Sequence, residues 1–425
     1  MPNILIKYKF LFYIIFITLI VESAYFMYDK PWQQKTIEQK FIHGDANSYH
    51  TLAINIVEKG KFPVYSGWDT FRTPGFPLYI SFFYLVFGIK PWIIIFSQIF
   101  LHVFTIVFIY FLTKQIFNNK IALISSILYA FEPNAIKLTM QFGTETLHAF
   151  LFIVSIYMFF RVINQNWFVN QILCGLLLGF TTLVRPINYY FTLLILFYLL
   201  LNQWKNRKYL YSKMFFIVFA YLLTITPWLY RNFNNYGYFK LSSNKSDVLF
   251  VNIARFKALK TNSTETKIFN DLYNKAYNKY DINEKINPFE FDKANTFIAL
   301  NIIRKNILSY SIFHVKGMIK FFISPLNNKS YNIGLKIIIA MYFSIIYIFL
   351  LYGFYLLLMN KQYYILVVFF SIIFYFSFFT GPVSVSRYRI PTTPFYLIIS
   401  SYAFYKFYLN FVKHSITNTF KKITK

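Results

Sequence analysis

Ten apolar runs divide the chain, near residues 5–26, 91–113, 121–138, 146–162, 168–184, 187–202, 214–230, 332–358, 363–380 and 394–412. Each approaches the about 20 apolar residues that a helix needs to cross a bilayer. The pattern therefore predicts an all-α polytopic membrane protein of about ten transmembrane helices. An eleventh run, Pro77 to Gly88, is too short to cross and reads as a re-entrant or interfacial helix. The first run starts behind Lys7 and Lys9 and carries no small-residue cleavage site, so it reads as a retained span with a cytoplasmic N-terminus. With the eleventh run left out of the count, the short basic connections fall on the cytoplasmic side: Lys114/Lys120, Arg161, Lys205/Arg207/Lys208/Lys213 and Lys361. The basic tail from Lys413 onward joins them. The same parity puts two long loops outside, about 27–90 and 231–331. It divides the chain into a membrane domain with the first outer loop (1–230), an extracytoplasmic loop region (231–331), and C-terminal membrane helices with a cytoplasmic tail (332–425).

Composition narrows the class. Of 425 residues, 57% are hydrophobic and only 14% charged, far from soluble-domain usage, which excludes a soluble globular enzyme. The net charge of +28 calls for anionic partners, but the basic residues sit between apolar runs rather than on one face, which excludes a nucleic-acid binder. Cys174 is the one cysteine, so there is neither a disulfide framework nor a cysteine-based zinc site. Glycine-rich phosphate loops, coiled-coil heptads and internal repeats are not evident.

Chemistry gathers in the first outer loop. Gly44-Asp45-Ala46-Asn47-Ser48-Tyr49-His50 opens a helix whose apolar residues Tyr49, Leu52, Ala53, Ile56 and Val57 share one face, as in an interfacial amphipathic helix, and Gly60 follows as a stop. Asp45 then has two readings, helix N-cap or site acid. The loop continues through Trp68-Asp69-Thr70-Phe71-Arg72-Thr73-Pro74-Gly75-Phe76-Pro77 into the short run, placing an acid, an arginine and a Pro-Gly turn together.

At these residues the chain resembles bacterial members of the protein O-mannosyltransferase and aminoarabinose-transferase group of glycosyltransferases, glycosyltransferase family 39-like. The resemblance rests on ordered motifs over nearly the whole length. These are the early Asp45, Arg72-Thr73-Pro74-Gly75-Phe76-Pro77-Leu78-Tyr79, Thr226-Pro227-Trp228-Leu229-Tyr230-Arg231-Asn232, and Arg387-Tyr388-Arg389-Ile390-Pro391-Thr392-Thr393-Pro394. It implies a GT-C fold and transfer of a sugar from a polyprenyl-phosphate donor to a glycan, lipid or protein acceptor outside the cytoplasmic membrane. It also implies Asp45 as catalytic base and Glu145 as a second acid, with Glu132 as a rival for the second role. The aminoarabinose transferases carry an acid directly before a basic residue and proline; Phe71-Arg72-Thr73-Pro74 does not, which removes support for a metal site of their kind.

The residues are compatible with that chemistry. Displacing a lipid phosphate needs a base for the acceptor hydroxyl and cations for the departing phosphate. Arg72, Arg185, Arg387 and Arg389 sit at exterior span ends and suit a phosphate through their planar forks, although each also reads as a snorkelling interface residue. A divalent metal is left open: His43 and His50 flank Asp45, and His148 follows Glu145 by three, a mixed carboxylate–imidazole set weighed against plain polar roles. His102 is expected to bond between helices. Arg255 and Lys257 are assigned to solvent, and Tyr236, Tyr238 and Phe239 to an interface belt or to sugar stacking. Two other functions stay in view, a lipid-glycan flippase or transporter and an O-antigen ligase or polymerase. The flippase would place charges at mid-span depth, whereas here they gather at exterior span ends.

Overall fold

The computed structural model describes residues 8–33, 42, 44–64, 68–203, 207–261, 263–280, 287–323, 332–383 and 386–423. In chain order its α-helices are α1 (Lys9–Asp29), α2 (Asp45–Lys59), α3 (Gly75–Phe87), α4 (Pro91–Ile116), α5 (Asn119–Ala130), α6 (Pro133–Thr139), α7 (Glu145–Asn164), α8 (Phe168–Val184), α9 (Phe191–Gln203) and α10 (Arg207–Tyr236). There follow α11 (Lys245–Ala258), α12 (Glu265–Tyr280), α13 (Pro288–Lys305), α14 (Ile307–Ile323), α15 (Ile333–Met359), α16 (Tyr363–Thr380), α17 (Ser386–Arg389) and α18 (Thr393–Ile423).

Six of these are long and apolar enough to cross a membrane: α1, α4, α7, the Tyr209–Tyr236 part of α10, α15 and α16. A seventh crossing results if α5 and α6 count as one bent span. The chain is an all-α multi-pass membrane protein. α8 and α3 are apolar but shorter, α3 at 13 residues as its short run requires. α9 and α18 occupy the two remaining runs. The run near 121–138, read as one span, is two helices bent by 57°. The cause is local: Glu132 stands extended before Pro133, whose missing N–H and fixed φ suit the first turn of a new helix, and the Glu132 carboxylate accepts the Ala135 N–H.

Helices before and after the segment 231–331 share one core. Phe152, Phe159, Tyr198, Ile217, Phe369, Phe376, Phe395 and Tyr396 are among its buried residues. A second core, with Phe76, Ile80, Ile94 and Leu147, fastens α2 and α3 to α1, α4 and the start of α7. The segment between α10 and α15 builds its own core from Phe250, Ile253, Phe256, Leu272, Ile298 and Tyr310, so α11–α14 form a packed helical unit. Arg255 is not a solvent residue: it pairs with Glu265 (3.3 Å) and donates to the Pro382 carbonyl (3.1 Å), tying this unit to the end of α16.

Candidate active site

Asp45 is the first residue of α2, and it does not cap the helix. The N-cap is Gly44, whose φ of +57° lies in the left-handed region that favours glycine, and no side-chain cap bond forms. The carboxylate is therefore free to face outward, half-exposed at 50%. Arg72 Nη2 meets Asp45 Oδ1 at 2.7 Å and Arg387 Nη2 meets Oδ2 at 3.1 Å. Arg387 Nε lies 3.9 Å from Glu145 Oε1, and Arg185 Nη2 lies 2.8 Å from the same oxygen. Charges thus alternate in a row, Arg72, Asp45, Arg387, Glu145, Arg185.

Each member is placed by a distinct local device. Arg72 lies along α2, donating through Nε to Ser48 Oγ (3.0 Å), with its guanidinium 4.7 Å from the Tyr49 ring centroid. The following turn is brought against the end of α8 by Gly75, where a Cβ would fall 2.6 Å from the Leu183 backbone. Arg185 ends α8, one residue after Val184. Glu145 opens α7, where the helix N-terminus favours a carboxylate, and is 7% exposed. Arg387 comes from the one-turn helix α17, 37% exposed, and the next ring, Tyr388, lies under both Arg387 (5.2 Å) and Arg185 (5.4 Å). Burial raises the Asp45 carboxyl, but the Arg72 and Arg387 guanidiniums outweigh it and hold Asp45 below its usual range.

Arg389 does not join the cluster. Its side chain is fully buried (0%) and pairs with Glu132 at 3.0 Å, so neither residue of that pair faces Asp45. The imidazoles that left a metal open do not assemble either. His50 Nδ1 bonds the Tyr84 hydroxyl (2.8 Å), His148 bonds Asn188, and His43 lies outside the described residues. Among the described residues no group of three or more His, Cys, Asp or Glu side chains converges. Both site carboxylates are engaged by guanidiniums, so the donor set as arranged does not fit a divalent metal.

Three features escaped the sequence. Tyr388 was hidden between two arginines that drew attention to themselves. Tyr49 reads in sequence only as an apolar position on its helix face. A third, buried cluster joins the loops: Asp69 pairs with Arg231 (2.8 Å) and accepts from the Tyr236 hydroxyl, and Ser243 N–H donates to the Thr70 carbonyl (2.9 Å). Tyr236 is thus a buried clamp residue, not an interface or sugar-stacking ring. His102 does bond between helices, with Glu22 of α1 at 2.7 Å.

Comparison with known proteins bears on this geometry. Residues 72–230 match the model of the dolichyl-phosphate-mannose-protein mannosyltransferase family, a stretch that contains Arg72, Glu145 and Arg185. The chain also superposes on the archaeal oligosaccharyltransferase AglB from Archaeoglobus fulgidus, solved with an inhibitory peptide and a dolichol-phosphate. That TM-score is 0.60 at 13% identity, over 98% of this chain and 52% of the other. This chain has an all-helical, GT-C-like fold shared with that oligosaccharyltransferase. The apo form of the Archaeoglobus fulgidus oligosaccharyltransferase gives the same fold at a TM-score of 0.57 and 14% identity, covering 97% of this chain and 52% of that one. The chain spans about half the length of these GT-C structures. No curated protein matches its sequence.

Proposed function

We propose that this protein is a membrane glycosyltransferase that moves a sugar from a polyprenyl-phosphate donor to a glycan, lipid or protein acceptor at the outer face of the cytoplasmic membrane. The observation that carries the reading is the convergence of Arg72, Arg185 and Arg387 on Asp45 and Glu145 from five separate elements. Three guanidiniums against two carboxylates leave one formal positive charge at a partly exposed spot. Asp45 and Arg387 are 50% and 37% exposed, and an ion pair so exposed contributes little to stability, so bringing Arg387 to Asp45 beside two more guanidiniums is poorly explained by folding and well explained by an anionic ligand. The dolichol-phosphate of the archaeal oligosaccharyltransferase complex is a ligand of that class on the same fold.

In the reaction, Asp45 takes the proton of the acceptor hydroxyl as its oxygen bonds to the anomeric carbon. The bond from that carbon to the donor phosphate oxygen breaks, and its electron pair stays on the phosphate, where the arginines stabilise the added charge. A single displacement of this kind inverts the anomeric centre. Glu145 holds Arg185 and Arg387 in place between turnovers.

The test is made in membranes and with purified protein, using labelled polyprenyl-phosphate-linked sugars. Replacing Arg185 or Arg387 by Gln is expected to lower transfer by about tenfold or more, in line with loss of a charge-assisted contact to phosphate. Movement of the lipid-linked sugar across the membrane without transfer to any acceptor contradicts the reading and favours a flippase.

A further inference from the structure

Arg389 lies two residues from a proposed phosphate ligand yet faces away from it, and although its buried Nε has no partner among the described residues, the rest of its guanidinium is held from several elements. Besides Glu132, its Nη1 donates to the Tyr347 hydroxyl at 2.6 Å, and its guanidinium lies 4.1 Å from the Phe343 ring centroid and 5.6 Å from that of Tyr396. Its carbonyl accepts the Thr392 hydroxyl at 2.7 Å and that of Thr393 at 3.3 Å. Glu132 is equally committed, accepting from the Ala135 N–H and from Asn134 Nδ2 (3.2 Å). The pair therefore bolts α17 to the break between α5 and α6, and through Tyr347 and Phe343 to α15.

A buried ion pair is weak evidence of a stabilising role, because well-packed apolar residues of similar volume often serve as well or better. What it does supply is a fixed geometry. α17 is four residues long, a single turn that cannot fix its own direction by helical hydrogen bonding. Its own Arg387 must nevertheless reach both Asp45 and Glu145, and Tyr388 must lie under Arg185.

We infer that Glu132 and Arg389 are positioning residues: their buried pair sets the direction of α17 and so aims Arg387 into the phosphate site. The inference rests on the reading of Arg387 as a phosphate ligand. It assigns neither Glu132 nor Arg389 a contact with substrate.

The experiment measures binding of farnesyl phosphate, a short isoprenoid phosphate, to the full-length protein in detergent. The variants are Arg387→Gln, the double apolar replacement Glu132→Leu/Arg389→Met, and all three changes together. If the pair aims Arg387, the double variant melts at the wild-type temperature but binds about as weakly as Arg387→Gln, roughly tenfold down, and the triple variant is no weaker than either. Wild-type binding by the double variant overturns the inference, and so does a triple variant whose loss is the product of the two. Should the double variant not fold, Tyr347→Phe replaces it. That change removes one hydrogen bond from Arg389, and its smaller loss of binding must vanish in the Arg387→Gln background; a loss that persists there overturns the inference. Undiminished binding by Arg387→Gln itself is a different failure, which removes the phosphate site rather than the device that aims it.

Discussion

At Asp45 one carboxylate meets two guanidiniums, and the balance of terms there fixes a pH dependence. Burial alone would raise the acid; Arg72 and Arg387 together lower it below its ordinary value of 3.8. The stability contributed by these pairs is present above that ordinary value and is lost as the pH falls through the lowered one. For the same reason Asp45 stays ionised, and able to accept a proton, throughout the mildly acidic range. Arg387→Gln removes one of the two opposing charges, so the acid limb of the pH profile of kcat/KM is expected to move upward; an unmoved limb would separate Arg387 from the titration of the base. The sequence made Asp45 legible because an acid opening an amphipathic helix ahead of an Arg-x-Pro-Gly turn is an unusual set. It could not show that Gly44 takes the cap position and that Arg387, over three hundred residues away, meets the Asp45 carboxylate. Nor could it separate Arg387 from Arg389. Two arginines flanking one tyrosine look alike in sequence, and only the burial of one against Glu132 divides them.

Helices and their joints carry the next set of consequences. The turn before α3 meets the end of α8 at Gly75, where there is no room for a side chain against the Leu183 backbone. Gly75→Ala is expected to cost about 1–3 kcal/mol of stability in thermal unfolding and to lower transfer by moving Arg72 away from Arg185. The clamp between Asp69 and Arg231 works at the same scale, joining the segment before α3 to the end of α10. Asp69→Ala leaves Arg231 largely buried without its carboxylate, and a loss of about 3 kcal/mol or more is expected in the same assay. Apolar runs located the helices, because hydrophobic length is what a bilayer selects, although only six of the ten expected spans, or seven with the bent pair, are long and apolar enough to cross. They did not give the break at Glu132, where apolar residues on both sides of a Glu-Pro step masked a 57° bend.

Across the whole molecule, the alternation of long apolar helices with basic connections was plain in the sequence, whereas the packed unit of α11–α14 was not. Its residues are rich in Asn, Lys and Tyr, and its small core of Phe250, Ile253, Phe256, Leu272 and Ile298 is spread over about fifty residues. The proposed orientation places Asn47 of α2 outside and Asn166, between α7 and α8, inside, and both positions are exposed. The native Cys174 is buried and stays silent to labelling reagents. In spheroplasts, a membrane-impermeant maleimide is therefore expected to label Asn47→Cys directly and Asn166→Cys only after permeabilisation; the reverse pattern would put the arginine cluster on the cytoplasmic face.

The central claim is that Asp45 is the base of a sugar transfer, and one comparison tests it most directly. Labelled sugar transfer from polyprenyl-phosphate donors is measured in membranes carrying the wild type or Asp45→Asn, at matched protein levels and matched thermal stability. The account predicts a loss of about 10²- to 10⁴-fold, the range that a positioned general base contributes. Transfer by Asp45→Asn at the wild-type rate would contradict it and leave Asp45 as a counter-ion for Arg72 and Arg387.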